Sequence, residues 1–273
     1  MIAGEAFAKI NLGLVVGPVR PDGKHGVLTV LTRIGVSDAI ELQASPDRGV
    51  VVDGFEDTIV RAALTAFAEA TEPDHGWLVR IDKRIPVAAG LGGGSSDAGA
   101  ALRLANELRG YPLSAGELHQ LAASIGADVP FFLEDGARLA SGDGSELRPV
   151  SLPREVRVVL VLPDGVSKES TAAVYRRFDE RRGAEGFAAR AEAMLSVLDG
   201  AVTAADLAAL PRNDLASSPL ANGLERLGAF RADVSGAGPA VYGLFEDDGA
   251  AEWAARALRS QGTTWLTRTI EGV

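Results

Sequence analysis

Apolar and polar positions change rhythm several times along the chain, and each change predicts an element. Residues 4–16 are mostly apolar around Glu5, Lys9 and Asn11, which predicts an extended strand pair or hairpin arm with Lys9-Ile10-Asn11 at its middle. Residues 27–42 carry β-branched side chains in short alternations and predict more strand. Between the two, Arg20-Pro21-Asp22-Gly23 reads as a turn. From 58 to 70 the spacing becomes helical, with Ile59, Val60, Ala63, Leu64 and Phe67 on one face. Trp77, Val79 and Ile81 then alternate with Leu78, Arg80 and Asp82, a strand that ends before Pro86. A glycine-rich loop leads into a helix beginning at about Ser95, whose buried stripe is Ala98, Ala101, Leu102, Ala105 and Leu108. Ser114-Ala115-Gly116-Glu117 has the form of a capping box, and Gly126 stands where a C-cap glycine belongs.

The pattern restarts around residues 149–153. Val156, Val158, Leu160 and Leu162 alternate as a strand, followed by a helix near 171–177 and an Ala-rich helical stretch over 185–209. A strand–Gly turn–strand at 233–245, a helix at 250–259 and a strand at 264–270 complete the order. Strands and helices mixed in this way predict an α+β fold of two domains, residues 1–150 and 151–273, with a cleft between them.

Composition narrows the chemistry. With 27 basic and 37 acidic residues the chain carries a formal charge of −10, which disfavours nucleic acid and anionic membrane surfaces as partners. An anionic ligand must therefore be held by a local cluster of donors. The absence of cysteine removes disulfides, thiolate nucleophiles and Cys-ligated metal, and three scattered histidines do not suggest a histidine metal cage. No stretch reaches the ~20 apolar residues of a membrane span, and Lys9 and Asn11 interrupt the only run resembling a signal peptide. A cytoplasmic enzyme is the expectation.

The strongest chemical signal is the run Gly90, Leu91, Gly92, Gly93, Gly94, Ser95 and Ser96. Its glycines let the backbone approach a ligand, and the helix behind it offers unpaired N–H groups and a positive dipole end. Together they form an anion cradle suited to a polyphosphate. The two serines have three open uses: capping the helix, touching phosphate oxygens, or ligating magnesium. No lysine completes a Walker A loop, and the spacing does not fit a dinucleotide fingerprint.

Two weaker signals join it. Asp128, in Gly126-Ala127-Asp128-Val129-Pro130, is a lone carboxylate between a glycine turn and an apolar run. It is either a helix cap or a charge that needs a cationic or N–H partner. On a strand, Lys9 and Asn11 share one face and Ile10 and Leu12 the other, which makes a polar patch on an apolar strand.

In this order the three segments resemble the GHMP kinases, and the likeness runs over nearly the whole chain. It includes Ala8–Leu14, Arg20-Pro21-Asp22-Gly23 with His25, Asp82-Lys83-Arg84-Ile85-Pro86, the glycine loop, 126–132, Asn213-Asp214-Leu215 and Ser235-Gly236-Ala237-Gly238-Pro239. The resemblance implies a two-domain GHMP kinase fold with the active site in the interdomain cleft. It implies ATP and Mg²⁺, and the triple glycine, together with Ala8–Leu14 and Gly126-Ala127-Asp128-Val129-Pro130, points to the branch whose acceptor is a cytidyl diphosphate alcohol. Homoserine, mevalonate or sugar kinases of the same superfamily are the alternative, and a non-catalytic nucleotide sensor is a third reading.

Carried over by residue, the resemblance makes Asp128 the base for the acceptor hydroxyl and Lys9 the cation that neutralises both it and the moving phosphoryl group. Asn11 would orient the substrate, His25 would read the cytosine and Tyr175 would flank it. The loop from Gly90 to Ser96 would hold the ATP phosphates, with Lys83 near the purine. Gly236 and Gly238 would shape the cleft floor. Three positions depart from the family pattern: Lys24 stands where an aromatic usually precedes the histidine, Asp57 replaces an Asn, and Ala237 replaces a small hydroxyl residue. From the residues alone, His25 is equally a surface-turn histidine, Tyr175 a core side chain and Asn213-Asp214 a helix cap.

Overall fold

The computed structural model describes every residue except Glu56, Asp57, Arg154, Ser167, Lys168, Ala201, Gly272 and Val273. Two long strands set its frame. β1 (Ile2–Val19) and β2 (His25–Ser45) pair antiparallel from Ile2↔Leu42 to Val19↔His25. The segment expected as a strand pair or hairpin arm is thus one strand, because nothing within it signals a turn and β2 offers a partner of matching length. The first half continues with β3 (Val50–Gly54), α1 (Thr58–Thr71), β4 (Gly76–Asp82), α2 (Gly93–Leu108), α3 (Ala115–Ile125), a 3₁₀ helix (Pro130–Leu133) and the hairpin β5 (Ala137–Ser141)/β6 (Glu146–Val150).

The second half runs β7 (Arg157–Pro163), α4 (Thr171–Glu180), α5 (Phe187–Val197), α6 (Ala204–Ala209), α7 (Pro219–Arg226), β8 (Arg231–Val234), β9 (Val241–Phe245), α8 (Asp248–Ala257) and β10 (Gly262–Ile270). The helical stretch expected over 185–209 is two helices. α5 ends at Val197, and Thr203 with Asp206 builds a capping box that starts α6 afresh. The predicted box at Ser114 and Glu117 is present, and Gly126 does end α3, but in extended rather than left-handed backbone. The edge pieces β3, β5, β6 and the short α7 have no counterpart in the sequence reading.

β1 takes one edge of β2, and three strands share the other: β5 at Thr29–Leu31, β10 at Arg33 and Ile34, and β4 from Ala39 to Ser45. β10 also pairs with β7, which leads on to β9 and β8, so hydrogen bonding runs continuously through both halves. On one side α1, α2 and α3 cover the first-half sheet over Phe67, Trp77 and Leu102. A second core is common to the halves: Ile10 and Leu12 of β1 meet Val158 and Leu160 of β7, Met194 of α5 and Tyr242 of β9. Lys9 and Asn11, alternating with those apolar residues, face the opposite way. Among the described residues no helix is long and apolar enough to cross a membrane.

α2 lies tight against the 3₁₀ helix, and Gly99 is the reason it can. A Cβ there would sit 2.7 Å from Phe132 Cβ. Gly99→Ala is therefore expected to lower stability by about 1–3 kcal/mol in urea unfolding, the usual scale of overpacking. Gly116→Ala serves as the control: nothing lies within 4 Å of the added methyl, and the helix should be neutral or gain about 0.4–1 kcal/mol.

Candidate active site

The glycine segment forms the bend between β4 and α2. Gly90 and Gly92 have φ of +84° and +70°, backbone that favours glycine, and a Cβ on Gly90 would collide with the Ser235 carbonyl. α2 starts at Gly93, two residues before the expected Ser95, because Gly92 serves as its N-cap without a side chain. The first helical bond runs from Ser96 N–H to the Gly92 carbonyl at 2.8 Å. The amides of Gly93, Gly94 and Ser95 are left without helical partners and stand at the positive end of a 16-residue helix.

β1 brings Lys9 to this bend. Its backbone N–H donates to the Leu91 carbonyl at 2.9 Å, and its buried ammonium donates to Asn11 Oδ1 at 2.6 Å. Asn11 Nδ2 donates to Thr29 Oγ1 at 2.9 Å, and that hydroxyl donates to the Gly13 carbonyl at 2.7 Å, which fixes the amide's orientation. The β1–β2 register shifts on both sides of this stretch, between Phe7 and Ala8 and between Asn11 and Gly13. Such irregularities commonly re-aim side chains at sites. Across the opening, Asp128 Oδ2 lies 3.8 Å from Lys9 Nζ, with the lysine side chain 5% and the aspartate 42% exposed. At an effective dielectric near 20 such a pair attracts by about 4 kcal/mol, reduced here because solvent screens the open face of the carboxylate.

A cavity of about 620 Å³ contains Lys9, Asn11, Asp128 and the glycine bend. Phe55, Ile59, Lys83, Val27, Asp143 and Tyr175 also line it. Gly236 closes the floor from the second half, and a Cβ there would be 3.4 Å from both Asn11 Oδ1 and Lys9 Nζ. Asn213 holds that floor. Its Nδ2 donates to the carbonyls of Val234 at 2.9 Å and Gly236 at 2.6 Å, so it brackets a turn rather than capping a helix. Burial, with the charge of Asp128 added, pushes the Tyr175 phenol up to about 12, which keeps it a neutral hydroxyl.

Two expected contacts differ. Ser96 is buried, and its Oγ donates to the Phe7 carbonyl at 2.7 Å, binding α2 to β1 instead of facing the cleft. Of the two serines, Ser95 is the one on the cavity lining. His25 stands one layer behind the cleft: Nδ1 donates to the Gly17 carbonyl at 2.8 Å, Nε2 lies 3.3 Å from Asp179 Oδ1, and the ring stacks on Tyr175 at 5.0 Å. Lys24 has Asp143 Oδ2 as partner, 3.1 Å away. Asp57 lies outside the described residues.

Lys83 lines the cavity, yet most of its ammonium is engaged behind it. It donates to Asp38 Oδ2 at 2.7 Å and Asp97 Oδ2 at 2.5 Å, with both carboxylates fully buried. Asp38 also accepts the backbone N–H groups of Arg84 and Ile85, which fixes the segment that enters the glycine bend. Sequence reading missed both aspartates, and no local pattern would have paired them with Lys83. Burial works against all three charges. At Lys83 the carboxylates outweigh it and raise the ammonium above its ordinary value; at Asp97 burial wins, and the carboxyl is pushed up to about 8. The two directions conflict across one contact only until the charges are counted, since one ammonium cannot balance two carboxylates. The proton goes to Asp97, whose Oδ1 has no hydrogen-bond partner among the described residues.

The GHMP kinases N terminal domain matches residues 57–136 and the GHMP kinases C terminal domain matches residues 214–264. A 4-diphosphocytidyl-2-C-methyl-D-erythritol kinase of Desulfitobacterium hafniense (strain Y51) is 35% identical over 283 residues, covering 97% of this chain and 95% of the relative. One from Anaeromyxobacter dehalogenans (strain 2CP-1 / ATCC BAA-258) is 39% identical over 272 residues, 94% of this chain and 84% of the relative. The chain belongs to the GHMP kinase family. The crystal structure of 4-(cytidine 5'-diphospho)-2C-methyl-D-erythritol kinase superposes with a TM-score of 0.80 at 30% identity, covering 99% of this kinase and all of that chain. The chain is thus an ATP-dependent small-molecule kinase, in the two-part fold that the glycine bend and its flanking segments led one to expect.

The Asp97 proton has a consequence for stability. Below pH ~4 both folded and unfolded chains hold it; between ~4 and 8 only the folded protein does, so stability falls as pH rises and levels off above about 8. Urea unfolding at pH 5 and pH 8 should show the natural protein losing roughly 3–4 kcal/mol more than Asp97→Asn. Equal losses in the two proteins would show that Asp97 holds no such proton.

Proposed function

We propose that this kinase transfers the γ-phosphoryl group of ATP to the 2-hydroxyl of 4-diphosphocytidyl-2-C-methyl-D-erythritol, a step of the non-mevalonate isoprenoid precursor pathway. The observation that carries the reading is the Lys9–Asp128 pair at 3.8 Å, set in one cavity with the unpartnered amides of Gly93, Gly94 and Ser95. Relatives that share most of the chain's length and carry that name supply the acceptor.

Phosphoryl transfer has a loose transition state, so positioning and charge neutralisation do most of the catalysis. In this reading the amides of Gly93, Gly94 and Ser95 grip the ATP phosphates, with Ser95 Oγ as a further donor. The purine lies toward Phe55, Ile59 and Lys83. Asp128, open to the cavity, accepts the hydroxyl proton of the acceptor, while Lys9 balances its charge and that of the moving phosphoryl group. Asn11, locked by Thr29, orients the acceptor. Tyr175 flanks the cytosine and His25 backs Tyr175. Residues 1–150 and 151–273 act as the two walls of the cleft.

No group of three or more acidic or histidine side chains that could hold a metal occurs among the described residues. Asp128 and Ser95, both on the cavity lining, would suit Mg²⁺ held mainly by phosphate oxygens and water. When bound, that ion neutralises charge on the phosphates. The substrates are small and the chain is acidic, which fits work in the cytoplasm.

Incubation with ATP and 4-diphosphocytidyl-2-C-methyl-D-erythritol should release ADP in step with acceptor consumed. Turnover of mevalonate or homoserine without turnover of the cytidyl compound would overturn the assignment. Asp128→Ala should lower kcat by at least ~10² with ATP binding nearly unchanged. Lys9→Ala should likewise reduce kcat more than nucleotide affinity, as expected for a group whose charge matters most in the transition state.

A further inference from the structure

Two arginines are fully buried among the described residues, and one of them is accounted for by the frame of the second half. Arg231 donates to the carbonyls of Leu210 and Pro211 at 2.6 and 2.8 Å. Arg33, 1% exposed, lies on β2 directly across the ladder from Lys9, so the two cations leave neighbouring strands from a single rung. The same residue stands at the seam where β10 joins β2, opposite Ile270.

Arg33 reaches the turn that carries Asp128. Its Nη2 donates to the Phe131 carbonyl at 2.8 Å, and its guanidinium carbon lies 4.7 Å from the Phe131 ring centre and 5.9 Å from that of Phe132. Phe131 sits three residues after Asp128 in the 3₁₀ helix. The turn around Asp128 is short and closed by backbone bonds from Val129 N–H to Gly126 and from Phe132 N–H to Val129, each 3.0 Å. It therefore moves as a unit with whatever holds Phe131. On its other side, Phe132 packs so closely that a Cβ on Gly92 would be 3.0 Å from its ring.

Keeping a guanidinium here is costly. Nη1 has no hydrogen-bond partner among the described residues. Burial, followed by repulsion from Arg103 and Arg138 and opposed by Asp135 and Glu134, brings the group down to about 10, still charged at neutral pH. An apolar side chain would pack against the two phenylalanines without that cost. What it could not supply is the directional bond to the turn.

We propose that Arg33 is a positioning residue for phosphoryl transfer: from the rung it shares with Lys9, it clamps the 3₁₀ helix behind Asp128 and so sets the separation of Lys9 and Asp128. The inference rests on the role given to Asp128 above. It assigns Arg33 no contact with either substrate.

The test is a double-mutant cycle with Asp128, read by single-turnover rates and by calorimetric binding of a non-hydrolysable ATP analogue. Arg33→Met should lower the rate at least ~10-fold while the analogue's Kd stays within about 2-fold. In the Asp128→Ala background the same change should cost less than about 2-fold more, since a group that acts through Asp128 has nothing left to position. A rate for Arg33→Met within ~2-fold of the natural protein, or an equal loss in both backgrounds, overturns the proposal. If Arg33→Met does not fold, Arg33→Lys carries the same cycle, with a smaller expected loss of ~3-fold that again disappears without Asp128. The Asp128→Ala single variant separates the two claims. Full activity there defeats the role given to Asp128, whereas a large loss with an additive cycle defeats only the role of Arg33.

Discussion

A buried ammonium is the constraint from which the rest of the cleft follows. Lys9 lies on a strand whose other face is packed into the core common to both halves, and only 5% of its side chain is exposed, at the cleft. A charge in that position must find acceptors or be neutralised. Asn11 supplies one, and Asp128 supplies the opposite charge from the far wall. Each provision commits further structure: Asn11 is held by Thr29 on the next strand, and the Lys9 backbone is bonded to Leu91 in the glycine bend. Helix terminus, cation and carboxylate are therefore placed relative to one another by hydrogen bonds rather than by loop packing.

The chain carries a formal charge of −10, yet as a member of its kinase family it takes ATP, a polyphosphate. Local donors resolve the conflict. Unpartnered amides at the start of α2 and the Lys9 ammonium present positive potential inside a cavity, where screening by solvent is weak. The other lysine on the lining is used differently. Lys83 is neutralised by Asp38 and hydrogen-bonded to Asp97, and its service is mainly to hold the strand exit and α2 together at the entrance of the bend. Two lysines that look alike in the sequence thus divide into an electrostatic group and an architectural one.

The halves of the molecule are joined where the chemistry sits. β10 meets β2 at Arg33 and Ile34, Ser235 Oγ donates to the Gly90 carbonyl at 2.9 Å, and Tyr242 donates to the Asn11 carbonyl at 2.9 Å. Asp214 accepts from Val16 N–H at the end of β1, at 2.8 Å. These contacts tie the second half to the backbone of the residues that line the cleft. They make its floor a continuation of the first-half sheet and leave little freedom for one wall to slide along the other.

How much of this was legible in the chain divides along a physical line. Helix stripes, the capping box at Ser114, the glycine bend and the shared face of Lys9 and Asn11 all follow from periodicity or backbone chemistry within a few residues, and sequence alone was sufficient for them. So was the kinase family, because its marks are contiguous segments. Tertiary structure decided which polar side chains were available for chemistry. Ser95 and Ser96 are adjacent and identical, but only folding tells that one faces the cleft and the other is bonded to Phe7. His25 turns away toward Gly17 and Asp179, and Asp38 meets Lys83 across 45 positions. Arg33 reached the Asp128 turn across 98. Short-range patterns encode which elements form, whereas the partner of a buried charge is set by strand register and by the way two distant segments pack, information that no local window contains.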